Sequence, residues 1–299
     1  MSSILLAVTN VYNLIRDFFT FKLQRSLRFD GGSWLTRTPS SSAANTKVTI
    51  SLWFKRTNTG NRDLLIMANG ISSNVNIVEI RSDDKLEISF RDSGNNGNNT
   101  YLVTTQTFTD FSAWYHLVLV FDASQSQNDR AKLYINGQQV TQFDYATFPS
   151  TATRLWFLTS TPHHIGAIYY NNQIWPDGKS QCYMADIHVV NGTSGTPPDH
   201  TAFGEFKENV WVPKQYTGSY GNNGFHLDFS QSATDDSSGN NNDFYVNGTM
   251  SGGSNGHDLV PDTPTNNFAT LNPAVSTAGT SISNGALIVN HNSGSYAWT

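Results

Sequence analysis

Trp114-Tyr-His-Leu-Val-Leu-Val-Phe-Asp122 is the stretch that decides how this chain folds. Leu117, Leu119 and Phe121 alternate with His116, Val118, Val120 and Asp122, the two-residue period of a strand with one face filled by large apolar groups. The next eight residues, Ala123-Ser-Gln-Ser-Gln-Asn-Asp-Arg130, carry no apolar side chain larger than alanine and predict a loop. Ala131-Lys-Leu-Tyr-Ile-Asn-Gly137 then returns as a second strand, with Leu133 and Ile135 on one face and Lys132, Tyr134 and Asn136 on the other. Asn136-Gly137 predicts a type I′ turn, because both residues tolerate positive φ. Gln138-Gln-Val-Thr-Gln-Phe143 is expected to continue as a third strand.

The same two-residue rhythm extends outward. Val48, Ile50, Leu52 and Phe54 alternate with Thr49, Ser51 and Trp53. Further strands are expected over residues 64–67, 76–81, 85–91, 101–105, 154–158, 164–170 and 183–189, and the Asp/Asn/Gly runs between them are turns. Charged residues make up only 14% of the 299, well below the usual ~25%, and Asn, Ser, Thr and Gly take their place. That composition suits many short strands joined by polar turns. The net charge of −5 argues against nucleic acid as a partner, since phosphate recognition needs a concentrated basic surface. One cysteine, Cys182, excludes an internal disulfide framework.

Four stretches carry a family resemblance. The central hairpin, Ser26-Leu-Arg-Phe-Asp-Gly-Gly-Ser-Trp-Leu35, Val48-Thr-Ile-Ser-Leu-Trp-Phe-Lys-Arg56 and Met184-Ala-Asp-Ile-His-Val-Val-Asn-Gly192 resemble, in order, the laminin G/pentraxin-like branch of the concanavalin A-like lectin/glucanase superfamily. The resemblance implies an all-β fold, an antiparallel two-sheet jelly-roll sandwich, over residues 26–250. It implies no particular activity. Glucanases of this superfamily place paired carboxylates on one strand to work on a glycosidic bond from both sides. No Glu-x-Asp-x-x-Glu pattern occurs here, so the chain is not expected to be an enzyme.

Residues 1–25 are expected to be an attachment segment ahead of the sandwich, with a short N-terminal helix from about Ile4 to Phe19. Ile4, Val8, Val11, Ile15 and Phe18 recur at four- and three-residue steps and would make one apolar stripe for attachment or oligomerisation. Arg16 and Asp17 break the apolar run well short of the ~20 residues a membrane span requires, so no membrane insertion is expected. A second resemblance lies near the other end. Asp235-Asp-Ser-Ser-Gly-Asn-Asn-Asn-Asp-Phe244 followed by Asp262-Thr-Pro-Thr-Asn-Asn-Phe-Ala-Thr-Leu-Asn-Pro273 is similar to a segment of tailed-phage virion proteins, where it leads into a SPRY-like sandwich. It implies a linker over 251–280 and an incomplete second sandwich over 281–299, in a chain that continues further. It also implies a virion location on the particle surface or tail, other virion proteins as partners, and three identical chains.

Within the sandwich, the stretch around Trp175 has the chemistry of a sugar platform. Trp175, Tyr169 and Tyr170 offer faces for pyranose C–H edges and Asp177 an acceptor for hydroxyls, so a host surface polysaccharide is the expected ligand. The plainer role for Trp175 is to pin its loop to the sandwich. No cofactor is expected, although calcium is compatible with the superfamily and the loops at 92–99 and 235–243 offer oxygen ligands without matching a defined calcium loop. His163-His164 makes a poor chelate, because neighbours on a strand face opposite ways. A purely structural virion module accounts for the same residues as the lectin reading.

Overall fold

The computed structural model describes residues 18–42, 46–71, 74–92, 100–151, 153, 155–171, 173–191, 195–248, 258–275, 279–291 and 294–297. Ile4, Val8, Val11 and Ile15 lie outside the described residues. Phe18 is half-buried and meets Phe19 edge-on at 5.1 Å.

The chain opens with β1 (Ser26–Asp30), β2 (Ser33–Arg37), β3 (Lys47–Arg56) and β4 (Asp63–Ile71). It continues through β5 (Asn74–Ile80), β6 (Lys85–Arg91), β7 (Thr100–Thr107) and β8 (Tyr115–Asp122). Then come β9 (Ala131–Ile135), β10 (Gln138–Gln139), β11 (Phe143–Thr147) and β12 (His163–Ile165). The hairpin β13 (Ala167–Tyr170) and β14 (Gln173–Lys179) precedes the long β15 (Gln181–Asn191). After it follow the hairpin β16 (Gly204–Lys207) and β17 (Val210–Pro213), then β18 (Phe225–Leu227), β19 (Tyr245–Gly248) and β20 (Leu259–Val260). A three-stranded meander of β21 (Thr280–Ser283), β22 (Ile288–His291) and β23 (Gly294–Ala297) ends the chain.

Two antiparallel sheets make the sandwich. The first runs β10-β9-β8-β3-β15-β1-β20, with β18 also paired to β15; the second runs β11-β7-β6-β5-β4-β12-β2-β19. The alternation of β8 does what its sequence demands: Leu117, Leu119 and Phe121 are fully buried between the sheets with Val48, Ile50, Leu52 and Phe54 of β3, and Cys182 and Met184 of β15. From the second sheet Val78, Ile80, Leu86, Ile88 and Phe90 meet them. At ~1.5–3 kcal/mol for each large apolar side chain removed from water, this layer is the main term holding the sheets together.

Several expectations are corrected. The strand expected over 154–158 is replaced by a short 3-10 turn at Trp156–Leu158. The third strand of the central hairpin is only two residues long, after which the chain crosses over and Phe143–Thr147 pairs with β7 in the other sheet. The single strand expected over 164–170 breaks at Gly166, whose φ of +85° no L side chain adopts easily. A Cβ there would sit 2.3 Å from the Phe29 ring. Part of the stretch expected as a linker, residues 258–272, is held on the sandwich. Leu259–Val260 pairs with β1, Arg28 bonds the Asp258 carboxylate at 2.8 Å, and buried Asp262 accepts from Lys55 Nζ at 3.0 Å and Trp114 Nε1 at 2.9 Å. The Asn136-Gly137 turn forms as expected, with φ of 48° and 76°.

The outer face of the first sheet is roofed by residues 200–229. Trp53 of β3 stacks on His116 of β8 at 4.4 Å, His116 on Trp211 at 6.0 Å, Trp211 on His200 at 5.7 Å, and His200 on Tyr134 at 4.0 Å. Trp211 Nε1 donates to His116 Nδ1 at 2.8 Å, so the other ring nitrogen carries the proton and reaches Ser51 Oγ at 2.8 Å. With no room for a second proton, burial pushes His116 down to about 3. Phe203, Tyr216 and Tyr220 cover Val118 and Val190 on the same face.

Candidate functional sites on the two outer faces

The second sheet's outer face carries the hairpin β13–β14. Ile168 packs into a small apolar cluster with Leu64, Met67, Val75 and Ile77, which fixes the hairpin to β4 and β5. Tyr169 turns toward the sheet and stacks on His164 at 4.6 Å, 17° from parallel. Tyr170 and Trp175 project the other way, 36% and 47% exposed, with ring centroids 6.0 Å apart. Asp177, two residues further along β14, is also exposed. Of the four residues expected at a sugar platform, Tyr170, Trp175 and Asp177 are thus presented to solvent, while Tyr169 serves as the anchor beneath them. His163 faces the core near Phe157 and His164 faces Tyr169, so the two histidines point apart as their spacing requires.

Next to the hairpin the same face shows a carboxylate pair that single-strand patterns miss. Glu79 of β5 and Glu87 of β6 are direct cross-strand neighbours, buried on the side away from the core. Their spacing in sequence is set by the turn between the strands, so no motif announces it. Each is tied to arginine. Arg62 grips Glu79 with two nitrogens, one of them Nε at 3.0 Å, and Arg81 and the Tyr101 hydroxyl reach Glu87 at 3.4 and 3.3 Å. Burial, and then Glu79, raise the Glu87 carboxyl above its ordinary value. With their oxygens turned into ion pairs, these groups hold the sheet surface together and leave no free acid and base flanking an open groove.

The first sheet's outer face holds a different constellation. A bulge between Ala185 and His188 shifts the register of β15 against β3, and Asp186 takes a φ of 52° there. Asp186 thereby joins His188 on the outer face. Opposite His188, across the β15–β18 pair, stands His226 with its ring stacked at 4.0 Å. His226 Nε2 bonds Asp186 Oδ1 at 2.8 Å, His188 Nε2 lies 3.1 Å from the same oxygen, and His188 Nδ1 meets the Tyr220 hydroxyl at 2.8 Å. Burial alone would raise the Asp186 carboxyl, but the two histidines outweigh it and hold it below the ordinary carboxylate range. Burial also acts against the charged form of His226, yet its bond to Asp186 keeps the ring above the usual imidazole value. A cleft of about 430 Å³ opens beside the cluster, lined among others by His188, His226, Asp228, Ser237 and Ser238.

The Asp235–Asp243 loop proves to be the scaffold of this cluster. Asp236 spends its carboxylate on the backbone N–H groups of His226, Ser238 and Asn242 at 2.8–2.9 Å, and Asp243 accepts from the Asp236 N–H at 2.8 Å. Asn240 and Asn242 donate to the Gly224 carbonyl, which clamps the chain just before His226. Residues 93–99 of the other acidic loop lie outside the described residues.

The Asp186, His188 and His226 cluster escaped the sequence reading, although a signal was present. Asp186 and His188 are two apart on a strand, and in Phe225-His-Leu-Asp-Phe229 the apolar alternation turns His226 and Asp228 outward.

Comparison with known proteins places the sandwich. Residues 29–212 match the laminin G-type family described as the concanavalin A-like lectin/glucanases superfamily. Among solved structures the chain is similar to the heptameric SAP-like pentraxin of Limulus polyphemus, at 13% identity and a TM-score of 0.42, over 65% of this chain and 94% of that one. It is similar to a putative carbohydrate binding protein of Bacteroides ovatus at 12% identity and 0.46, over 76% of this chain and 59% of that one. It is also similar to domains LG4-5 of the mouse laminin alpha1 chain at 12% and 0.41, over 56% of this chain and 42% of that one. No curated protein matches the sequence.

Proposed function

This chain belongs to the concanavalin A-like lectin/glucanase superfamily, and on that premise we propose that it is a carbohydrate-recognition module whose ligand stacks on the β13–β14 hairpin. The observation that carries the reading is the pair of outward-facing rings, Tyr170 and Trp175, on a hairpin already anchored from beneath by Ile168 and Tyr169. An aromatic of Trp175's size is costly to leave in water unless it meets a partner, and a pyranose ring offers an apolar C–H edge to its face. Asp177 supplies an acceptor for a hydroxyl. The role is binding without bond cleavage.

The setting we propose is the virion of a tailed phage, on the particle surface or tail. The support is the likeness of residues 235–273 to a segment of such virion proteins. Residues 1–25, with Ile4, Val8, Val11, Ile15 and Phe18, would join three identical chains or attach them to other virion proteins. Host surface polysaccharide would be the ligand, and three weak copies of one site would reinforce each other. Light scattering of the full chain against a chain starting at residue 26 checks the first part: a trimer that becomes a monomer is the expected result.

A glycan array with labelled protein tests the lectin reading. Trp175→Ala should reduce binding at least about tenfold, or ~1.4 kcal/mol, at an unchanged melting temperature. Wild-type protein that binds no glycan would instead make the sandwich a structural decoration module.

A further inference from the structure

The geometry points to a metal site beside the first sheet's cleft: Asp186, His188 and His226 bind one divalent transition metal ion, with zinc the best fit and an open coordination position facing the cleft. One ligand atom from each of Asp186, His188 and His226 lies within 4.8 Å of the other two. One carboxylate oxygen and two imidazole nitrogens form a zinc-type donor set, whereas calcium and magnesium prefer oxygen throughout. Neighbouring ligand atoms in a tetrahedral zinc site stand about 3.3 Å apart, given bonds of ~2.0–2.1 Å. The oxygen-to-nitrogen spacings of 2.8 and 3.1 Å are within roughly half an ångström of that, so the shift needed on loading is small.

Two features go beyond the donor set. His188 Nε2 is buried, its side chain 2% exposed, and lies outside hydrogen-bond geometry despite its nearness to Asp186. A buried polar atom left in that state costs free energy, which a metal–nitrogen bond would recover. The ring is also held from its far side by the Tyr220 hydroxyl, 2.8 Å from Nδ1, and the tautomer that carries its proton on Nδ1 leaves a lone pair on Nε2 for the metal. Access comes through the cleft, which Asp228, Ser237 and Ser238 also line. The site lies on a different sheet from the proposed glycan platform and is independent of it.

Full-length protein stripped with chelator and titrated calorimetrically with zinc chloride tests this. One ion per chain is expected, with a rise in melting temperature and, after cobalt(II) substitution, visible absorption bands of a four-coordinate ion. His226→Gln, at a partly exposed position where the amide still reaches Asp186, should weaken binding by about a hundredfold. His200→Gln, on the same face, should leave it unchanged. Wild-type protein that binds no zinc stoichiometrically, or binding that survives His226→Gln intact, overturns the proposal. X-ray absorption of the zinc-loaded wild type decides without any variant: two imidazoles and a carboxylate uphold the site, and any other set removes it.

Discussion

The two outer faces of the sandwich make opposite use of similar residues. On the first sheet, Trp53, His116, Tyr183 and His188 are sealed under a roof of returning chain and make ring stacks, a buried ion pair and a histidine cluster. On the second sheet the cover is one hairpin and a lattice of arginine–glutamate pairs, and aromatic rings such as Tyr145, Tyr170 and Trp175 are left in solvent. Polar groups on the roofed face are shielded from water, so pairs such as Lys55–Asp262 and His226–Asp186 are made internally, and burial lowers the proton affinity of His116. On the open face the solvent-exposed pairs, such as Arg81–Asp83, are worth little, while Glu79 and Glu87 beneath them are buried against their arginines. The proposed glycan platform lies on the open side, and the proposed ion site on the roofed one.

The difference predicts a gradient of mutational cost. Asp262→Ala strips a buried ion-pair partner from Lys55 and the acceptor from Trp114, and should lower stability by about 3–5 kcal/mol in urea unfolding. A loss under 1 kcal/mol would mean the roof is decoration. Trp211→Ala removes the ring that sits on the Asn136-Gly137 turn and bonds His116, at about 2–3 kcal/mol. Hydrogen exchange should then quicken in β8 and β9 before it does in β5 and β6. Equal quickening in both sheets would erase the distinction between faces.

Acid should act through the buried neutral histidines. His116 is held down to about 3 and His164 to about 4, against an ordinary 6.5, both through burial. The unfolded chain therefore binds protons that the folded chain refuses, and stability falls as pH drops from about 6.5 toward 4. His164→Phe, which keeps the ring on Tyr169 without the proton site, should flatten that fall in a series of melting curves from pH 7 to 4. An unchanged slope would assign acid sensitivity to other groups. Arg81→Ala on the open face should cost no more than about 1 kcal/mol, because its partners Asp83, Glu87 and Tyr101 remain near solvent or keep other bonds.

These contrasts also explain what the sequence reveals. Every second residue of 48–54 and 117–121 is a large apolar group, and the sheets follow directly because burial between two layers has only that period. The roof has no such rhythm. Phe203, Trp211, Tyr216 and Tyr220 are placed by ring stacks and by asparagine and aspartate side chains that close turns, interactions between residues far apart in sequence. The aromatics around Trp175 are conspicuous in the sequence, which reads their stretch as a loop, whereas the pairing with β13 that makes Gln173–Lys179 a strand is not. Asp186, His188 and His226 are not legible as a group, since the third ligand lies 38 residues past the second and only the bulge turns Asp186 outward. The Glu79–Glu87 pair is invisible for a related reason, being defined by strand register.

The first sheet ends at β10 and β20, each two residues long and the former only Gln138 and Gln139. Such stubs expose few unpaired N–H and C=O groups, so another molecule has almost nothing to zip onto along that margin. The second sheet finishes in β11 and β19, where Tyr145 and Tyr245 are 61% and 73% exposed. Crowded copies of this protein would therefore stick to one another, if they stick at all, through these two edges of the second sheet, and lysines placed at both tyrosines should keep concentrated solutions clear.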